Sequence, residues 1–316
     1  MKRKMPFLFL ILIISAILLG CTTTTVEPTV AESAVKTEGT ISLIDGLGRE
    51  VVLESPATSI VSLSPSNTEL LYAVGAGEQV VGRDAFSDYP EEVSSLPDIG
   101  GGYSEYNLEL LISLDPDLVL AAEINTAELV QSIEDLGIPV FYISNPIVLE
   151  DLYETIENVG ILTGNKEKAQ EVIEDAIARV TAVETAVAEV ETIPTVFYEL
   201  DASDPTKPYT PGPNTFYSTL ISMAGGKNVG DALSTSWAQI SLEELLIQDP
   251  DIILLGDSLY GISVESVAER EGWSSLSAVV NGNVLPFDDN LLSRPGPRLI
   301  DGLEELARVL HPEVFK

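Results

Sequence analysis

The sequence predicts an α/β protein of two Rossmann-like lobes, each on a mostly parallel sheet, joined by one long helix. Three observations carry this. Leu108 to Leu120 aligns without gaps on Leu242 to Leu254, and both copies read as a helix ending at Asp-Pro-Asp and feeding a strand. The runs that follow, Leu118-Val119-Leu120 and Ile252-Ile253-Leu254, are continuously apolar, as strands covered on both faces require. Between the copies, Lys166 to Glu191 contains neither Gly nor Pro.

From the amino end, Lys2, Arg3 and Lys4 precede an apolar run from Phe7 to Leu19 and the junction Leu18-Leu19-Gly20-Cys21. That order is expected of a secretory signal. The run is shorter than the ~20 residues a helix needs to cross the hydrocarbon core. Residues 1–20 are therefore expected to be a lipoprotein signal peptide, with Cys21 lipidated. Cys21 is the only cysteine, so neither a disulfide framework nor a thiolate metal cluster is available. Residues 21–40, which open on Thr22-Thr23-Thr24-Thr25, read as a flexible stalk with too little apolar content to fold alone.

The first lobe is expected over residues 41–164, with strands at Ser59 to Leu63, Val80 to Gly82, Leu118 to Ala121 and Val140 to Ile143. Proline disfavours helix in the residue before it, so the first helix of the repeat stops at Asp115. A second pair of segments supports the duplication: Pro65-Ser66-Asn67-Thr68 with Gly75-Ala76-Gly77, and Pro213-Asn214-Thr215 with Gly225-Gly226. Each is a loop, a capped helix and a glycine stop.

Residues 165–191 form the linking helix, with Ala169, Val172, Ile173, Ala176, Ile177 and Val180 at helical spacing on one side. A single helix between lobes is stiffer than hinge strands and predicts limited closure. The second lobe is expected over residues 192–316, with strands at Thr195 to Leu200, Ile252 to Leu255 and Val284 to Pro286. Ligands of open α/β sheets bind beyond the carboxyl ends of the strands. Applied twice, that rule predicts a cleft between the lobes, lined by the loops Ser64 to Asn67, Ser87 to Pro90, Gly100 to Tyr106, Glu123 to Thr126, Tyr209 to Thr215, Ser236 to Trp237, Asp257 to Tyr260 and Asp288 to Arg294. A cleft rich in aromatics suits a bulky ligand with flat or apolar surface.

Composition excludes other classes. Fifty acidic against 16 basic residues, a formal charge of −34, would repel the phosphates of nucleic acid. The acidity reads as a solvating surface, with attraction to a cationic ligand or partner as the competing reading. His311 is the only histidine, near the carboxyl end, so no Ser-His-Asp or Cys-His arrangement can be built; it is expected on the surface of the last helix. Nothing singles out a carboxylate pair for a hydrolase. Neither a catalytic residue, a resident cofactor nor a transition-metal site is expected. The Gly100-Gly101-Gly102 run lacks phosphate-binding spacing and reads as a flexible cleft loop.

Five segments then carry a resemblance: Ile60 to Leu70, Ser87-Asp88-Tyr89-Pro90, Asn107-Leu108-Glu109 with its Asp-Pro-Asp sequel, Trp237 to Ser241, and Arg294 with Pro297-Arg298. Together the chain resembles the substrate-binding proteins of ABC importers whose lobes are joined by one long helix, which serve cobalamin, siderophores and haem. Its cobalamin-binding members are the most similar. The resemblance implies an extracytoplasmic monomer, lipid-anchored to the membrane, that carries a corrinoid or iron-chelate ligand to an ABC permease. It implies ligand contacts for Tyr89, Tyr209, Trp237 and Arg294, and a ligand site also including Ser64, Pro65, Asn67, Tyr103 and Asp289. It implies permease docking through Glu109 and Glu243; the other account of these two is a first-turn Glu that favours the helix dipole. The sequence departs where the cobalamin pattern has tryptophans, offering Gly100-Gly101-Gly102-Tyr103 and Ala122-Glu123. Anionic ferric siderophores call for several cations, and this cleft offers Arg294 with Arg83 and Lys207.

Overall fold

A computed structural model describes residues 39–315; the signal segment, Cys21 and all but the end of the stalk lie outside them. The chain enters on an antiparallel hairpin, β1 (Ile41–Ile44) and β2 (Glu50–Leu53). Its turn is tied to the first sheet where Gly46 N donates to Tyr142 O (2.7 Å). Then follow β3 (Ile60–Ser62), α1 (Pro65–Ala73), β4 (Val80–Arg83), α2 (Leu108–Ser113), β5 (Leu118–Ala122), α3 (Ala127–Glu134), β6 (Val140–Ile143) and α4 (Leu149–Thr163). The strut α5 (Lys166–Val187) leads to β7 (Thr195–Glu199), β8 (Tyr209–Pro211), α6 (Phe216–Met223), β9 (Lys227–Asn228), β10 (Trp237–Gln239) and α7 (Leu242–Gln248). The chain ends with β11 (Ile252–Leu255), α8 (Val264–Ala268), α9 (Ser277–Val280), β12 (Val284–Pro286) and α10 (Leu299–Leu310).

Two parallel four-stranded sheets result, ordered β4-β3-β5-β6 and β9-β7-β11-β12. The duplication read from sequence thus extends to topology: in each lobe the second strand lies outside the first, and the third and fourth follow on the other side. The repeated Leu-Glu segments feed β5 and β11, which lie in different sheets. Their Asp-Pro-Asp stops match in geometry too. Asp115 and Asp249 take left-handed φ of +49° and +42° after helices that cannot continue into proline. The second aspartates, Asp117 and Asp251, accept bonds from Thr58 N (2.9 Å) and Thr195 N (2.8 Å), anchoring the first strand of each sheet.

Alternation along the strands divides the core. Ile60, Leu118 and Leu120 face a cluster that runs through α1, α4 and α5 into Tyr198, Leu254 and α10, and so spans both lobes. Val61 and Val119 face the other side of the first sheet, and Phe197 and Ile253 the other side of the second. Because α5 lies inside the shared cluster, bending between lobes would expose apolar surface. Its buried positions, Ala169, Ile173, Ala176, Val180 and Val183, alternate steps of four and three, a narrow seam. Ile177, expected on that face, flanks the seam and is 46% exposed. The helix ends at Val187, short of Glu191, and Arg179 ties it to α10 through Asp301 (2.5 Å) and Glu304 (2.7 Å).

Five strands went unread in the sequence. The hairpin β1 and β2, the ribbon β8–β10 and the two-residue β9 are each too short to show a periodic pattern. His311 also corrects an expectation: it is buried rather than on the surface, capping α10 with Nε2 3.2 Å from Gly225 O. It thereby fills the space beside a glycine stop that carries a φ of +78°. Among the described residues, no helix is long and apolar enough to cross a membrane.

Candidate functional site

The carboxyl ends of both sheets turn toward the boundary between lobes, where three contacts close the floor. Thr219 Oγ1 of α6 donates to Ile147 O, beyond β6 (2.8 Å). The backbone of Gly296 lies against α1, where an added Cβ would sit 3.3 Å from Ser66 O. The third contact is ionic. Arg298 places Nε 2.8 Å from Glu69 Oε2 and Nη2 2.6 Å from Oε1, and Arg294 Nη1 reaches Glu69 Oε1 (3.2 Å) and Asp88 Oδ1 (2.5 Å). Arg294 holds the Asp88 carboxyl below the usual carboxylate range. The Arg298 guanidinium also stacks 4.2 Å over the ring of Tyr89.

The start of α1 accounts for Ser64, Pro65 and Asn67. Ser64 is the cap, its Oγ accepting from Asn67 N (3.2 Å), and Pro65 takes the first turn, where a missing N–H costs nothing. Around them a chain of hydroxyls runs from Ser62 through Thr68 to Ser87 and the Asp84 carboxyl, which burial pushes up. Ser64 and Asn67 are both buried. Neither side-chain polar atom of Asn67 has a partner among the described residues. The sequence places these residues on a cleft loop; in the structure Ser64 and Asn67 are buried at the start of α1 and Pro65 is part-buried.

The aromatic candidates divide between lobes. On the first, Tyr89 is half exposed beneath Arg298, and Tyr103 is 97% exposed, its ring edge-on to Phe86. Tyr106 turns inward: its hydroxyl donates to Leu63 O (3.1 Å) and accepts from Asn125 Nδ2 (2.8 Å). On the second, the ribbon pairs Trp237 with Pro211 and Gln239 with Tyr209, which puts Tyr209 and Trp237 on one face. Both are about half exposed. Trp237 rests edge-on against Phe216 and Tyr217. Asp289 accepts from the hydroxyls of Tyr198 (2.7 Å) and Tyr217 (2.9 Å), and burial pushes its carboxyl up. Tyr260 is exposed on the loop after β11.

Every arginine of this region is committed. Besides Arg294 and Arg298, Arg83 donates to Val93 O (3.1 Å) and Asp84 O (2.9 Å) and lies 3.6 Å from Asp98. Arg270 grips the buried Glu199 at 2.6 and 2.8 Å. Lys207 forms no ion pair among the described residues. The sequence places Asp257 at the start of a cleft loop but does not show what it meets: buried next to Glu199, beside Arg270, it has its carboxyl pushed up to about 7 by burial and by that neighbouring carboxylate. The signal that placed it was position, just past the continuous apolar run of β11 and its glycine. Among the described residues no cluster of three or more His, Cys, Asp or Glu is placed to hold a metal ion.

Glu109 and Glu243 are the second residues of α2 and α7, behind the caps Asn107 and Ser241, which accept from Leu110 N (3.0 Å) and Glu244 N (3.1 Å). Both are exposed and neither enters an ion pair among the described residues.

Two parallel-sheet lobes with a helical strut between them define the two-lobed fold of a binding protein. Residues 60–291 match the model of the periplasmic binding protein family, and the chain belongs to it as an ABC transporter substrate-binding protein. It is 31% identical over 320 residues, the full length of both chains, to the uncharacterized ABC transporter substrate-binding lipoprotein YvrC of Bacillus subtilis. It is also 31% identical to a cobalamin-binding protein of Halobacterium salinarum, over 84% of this chain and 73% of that one. Among solved structures it resembles the vitamin B12-binding protein BtuF of Vibrio cholerae (TM-score 0.69, 27% identity, 81% of this chain and 98% of that one). The haem-binding protein RhuT of Roseiflexus is as similar (TM-score 0.73, 27% identity, 82% and 99%).

Proposed function

We propose that this protein captures a corrinoid outside the cell and delivers it to an ABC permease, held at the membrane by lipid on Cys21. The observation that supports the ligand class is the state of the arginines of this region: Arg83, Arg270, Arg294 and Arg298 are all spent on carboxylates or backbone oxygens, which leaves Lys207 as the cation of the predicted cleft without an ion pair among the described residues. A polyanionic ferric siderophore would need free guanidinium groups and would meet a chain of formal charge −34. Cyanocobalamin is a neutral macrocycle with broad apolar faces and an amide rim, which matches exposed Tyr89, Tyr103, Tyr209 and Trp237. The cobalamin-binding relative at 31% identity supports the same choice.

A second reading, haem, is favoured by the exposure of Tyr103 and Tyr260, whose phenols are the available axial ligands. Docking to the permease is assigned to Glu109 and Glu243, whose separation on two lobes would fix orientation as well as attraction. Calorimetry of the purified protein with cyanocobalamin, haemin and a ferric hydroxamate in parallel decides among ligands. Heat from cyanocobalamin alone is expected; saturable binding of haemin or the hydroxamate in its place overturns the corrinoid assignment.

A further inference from the structure

We infer that Asp257 is a positioning residue for ligand capture: it shares a proton with Glu199 and, in that neutral form, fixes the segment from Leu200 to Tyr209 that leads into the aromatic ribbon, so that capture weakens as the proton is lost. The inference rests on the reading of the ribbon as a ligand surface given above. Its ground is a shortage of cations. Glu199 ends β7 and Asp257 follows β11, the neighbouring strand, and both side chains are buried. Arg270 gives both terminal nitrogens to Glu199, Nη1 at 2.6 Å and Nη2 at 2.8 Å. Asp257 keeps one bond, Oδ2 accepting from Ala202 N at 3.3 Å, and its Oδ1 is buried without a partner among the described residues. A second bare carboxylate beside Glu199 is costly away from water, whereas a proton on Asp257 removes that charge and supplies a donor. The rise of this carboxyl to about 7 has those two causes, burial and Glu199.

Neighbouring groups do not relieve the pair. The Tyr198 hydroxyl, beside Gly256, donates to Asp289, and Ser258 Oγ donates to Phe287 O, which brings Asp288 and Asp289 to the same end of the sheet. Asp201, Asp204 and Lys207 on the segment, and Glu269 and Glu271 beside Arg270, are exposed. Nor is Arg270 free to turn. Its guanidinium lies 4.5 Å over the Trp273 ring, and Trp273 Nε1 donates to Pro205 O (3.0 Å), so both ends of this arrangement hold the same segment. The ribbon begins there. Leu200 N donates to Tyr209 O (2.9 Å) and Tyr209 N to Asp201 O (2.7 Å), one residue from the Ala202 amide that Asp257 holds. An ionised Asp257 is repelled by Glu199 and releases Ala202, which loosens the root of the strand that carries Tyr209. Affinity is therefore complete well below pH 7 and falls as pH rises through it.

The test uses wild type, Asp257→Asn and Asp257→Ala between about pH 5.5 and 8.5, on both sides of that titration. Cyanocobalamin affinity is read by calorimetry, and hydrogen exchange at the Ala202 and Tyr209 amides is compared among the ligand-free proteins at each pH. Wild type is expected to lose about five- to tenfold in affinity across the range and to exchange faster than Asp257→Asn at its alkaline end. Asp257→Asn, whose amide still accepts from Ala202 and donates to Glu199, should bind evenly throughout. Asp257→Ala, which does neither, should bind about tenfold more weakly than Asp257→Asn at every pH and exchange fast throughout. Parallel affinity profiles in wild type and Asp257→Asn, or equal exchange in all three proteins, overturn the inference even if the corrinoid assignment stands. If cyanocobalamin gives no heat, the corrinoid assignment falls, while exchange in the ligand-free proteins still judges Asp257.

Discussion

Glu69 of the first lobe and Arg298 of the second face each other in a two-bonded ion pair, 2.6 and 2.8 Å, with the carboxylate almost wholly buried. Arg294 adds a third bond to the same carboxylate and a fourth to Asp88. The residue that the resemblance assigned to ligand therefore also fastens the lobes, and ligand would have to share it or take it from Asp88.

Removing Arg298 leaves a buried carboxylate with one remaining cation. Arg298→Ala is expected to lower stability by about 3 kcal/mol, read from urea unfolding. It should also raise hydrogen exchange at the α1 and α10 ends that meet there. A variant with wild-type stability and exchange would mean that α5 and the shared core alone hold the lobes.

Asp257 gives stability a pH dependence of defined sign. Its carboxyl is raised to about 7 in the folded protein, above the ordinary 3.8, so between those values the folded state holds more protons than the unfolded chain. Its contribution is complete below about pH 4, declines as pH rises toward 7, and is gone above it. Asp257→Asn can still accept from Ala202 N and should flatten that slope and stabilise the protein at pH 8. Unfolding midpoints from pH 4 to 8 that run parallel in the two proteins would remove Asp257 as the source.

Trp237 is half exposed on the ribbon, supported from behind by Phe216 and Tyr217. Trp237→Ala should weaken ligand by about ten- to a hundredfold, since that much apolar area would be covered on binding, with little change in folding. An affinity equal to wild type in calorimetry would take the ribbon out of the site.

Glu109 and Glu243 are exposed and unpaired among the described residues, so their removal should cost the fold little. The double change to Ala is expected to abolish uptake into cells or permease-dependent vesicles while ligand affinity stays at wild type. Normal uptake would return both residues to the role of first-turn helix charges.

Much of the fold was legible because its signals are local. Strand periodicity located β6, β11 and β12 at their observed ends, and proline marked the stops that Asp115 and Asp249 make. Less of the site was legible. Tyr106 and Tyr103 stand three residues apart in one loop, yet one hydroxyl is bonded inside the lobe and the other ring faces solvent. Ile177 missed the buried seam because helical spacing names a broad face, while packing between two helices selects a narrow one.

The sequence by itself determined the duplicated α/β plan, the strut and the family, since each is written in short-range pattern: apolar period, helix stops and an internal repeat. Only the tertiary structure decided which charges are free. Glu69 and Arg298 are 229 residues apart, Glu199 and Arg270 are 71 apart, and no local rule pairs them. Whether a cleft arginine can meet an anion depends on carboxylates brought beside it by folding, because Coulomb attraction acts on distance in space and is strongest where water is excluded.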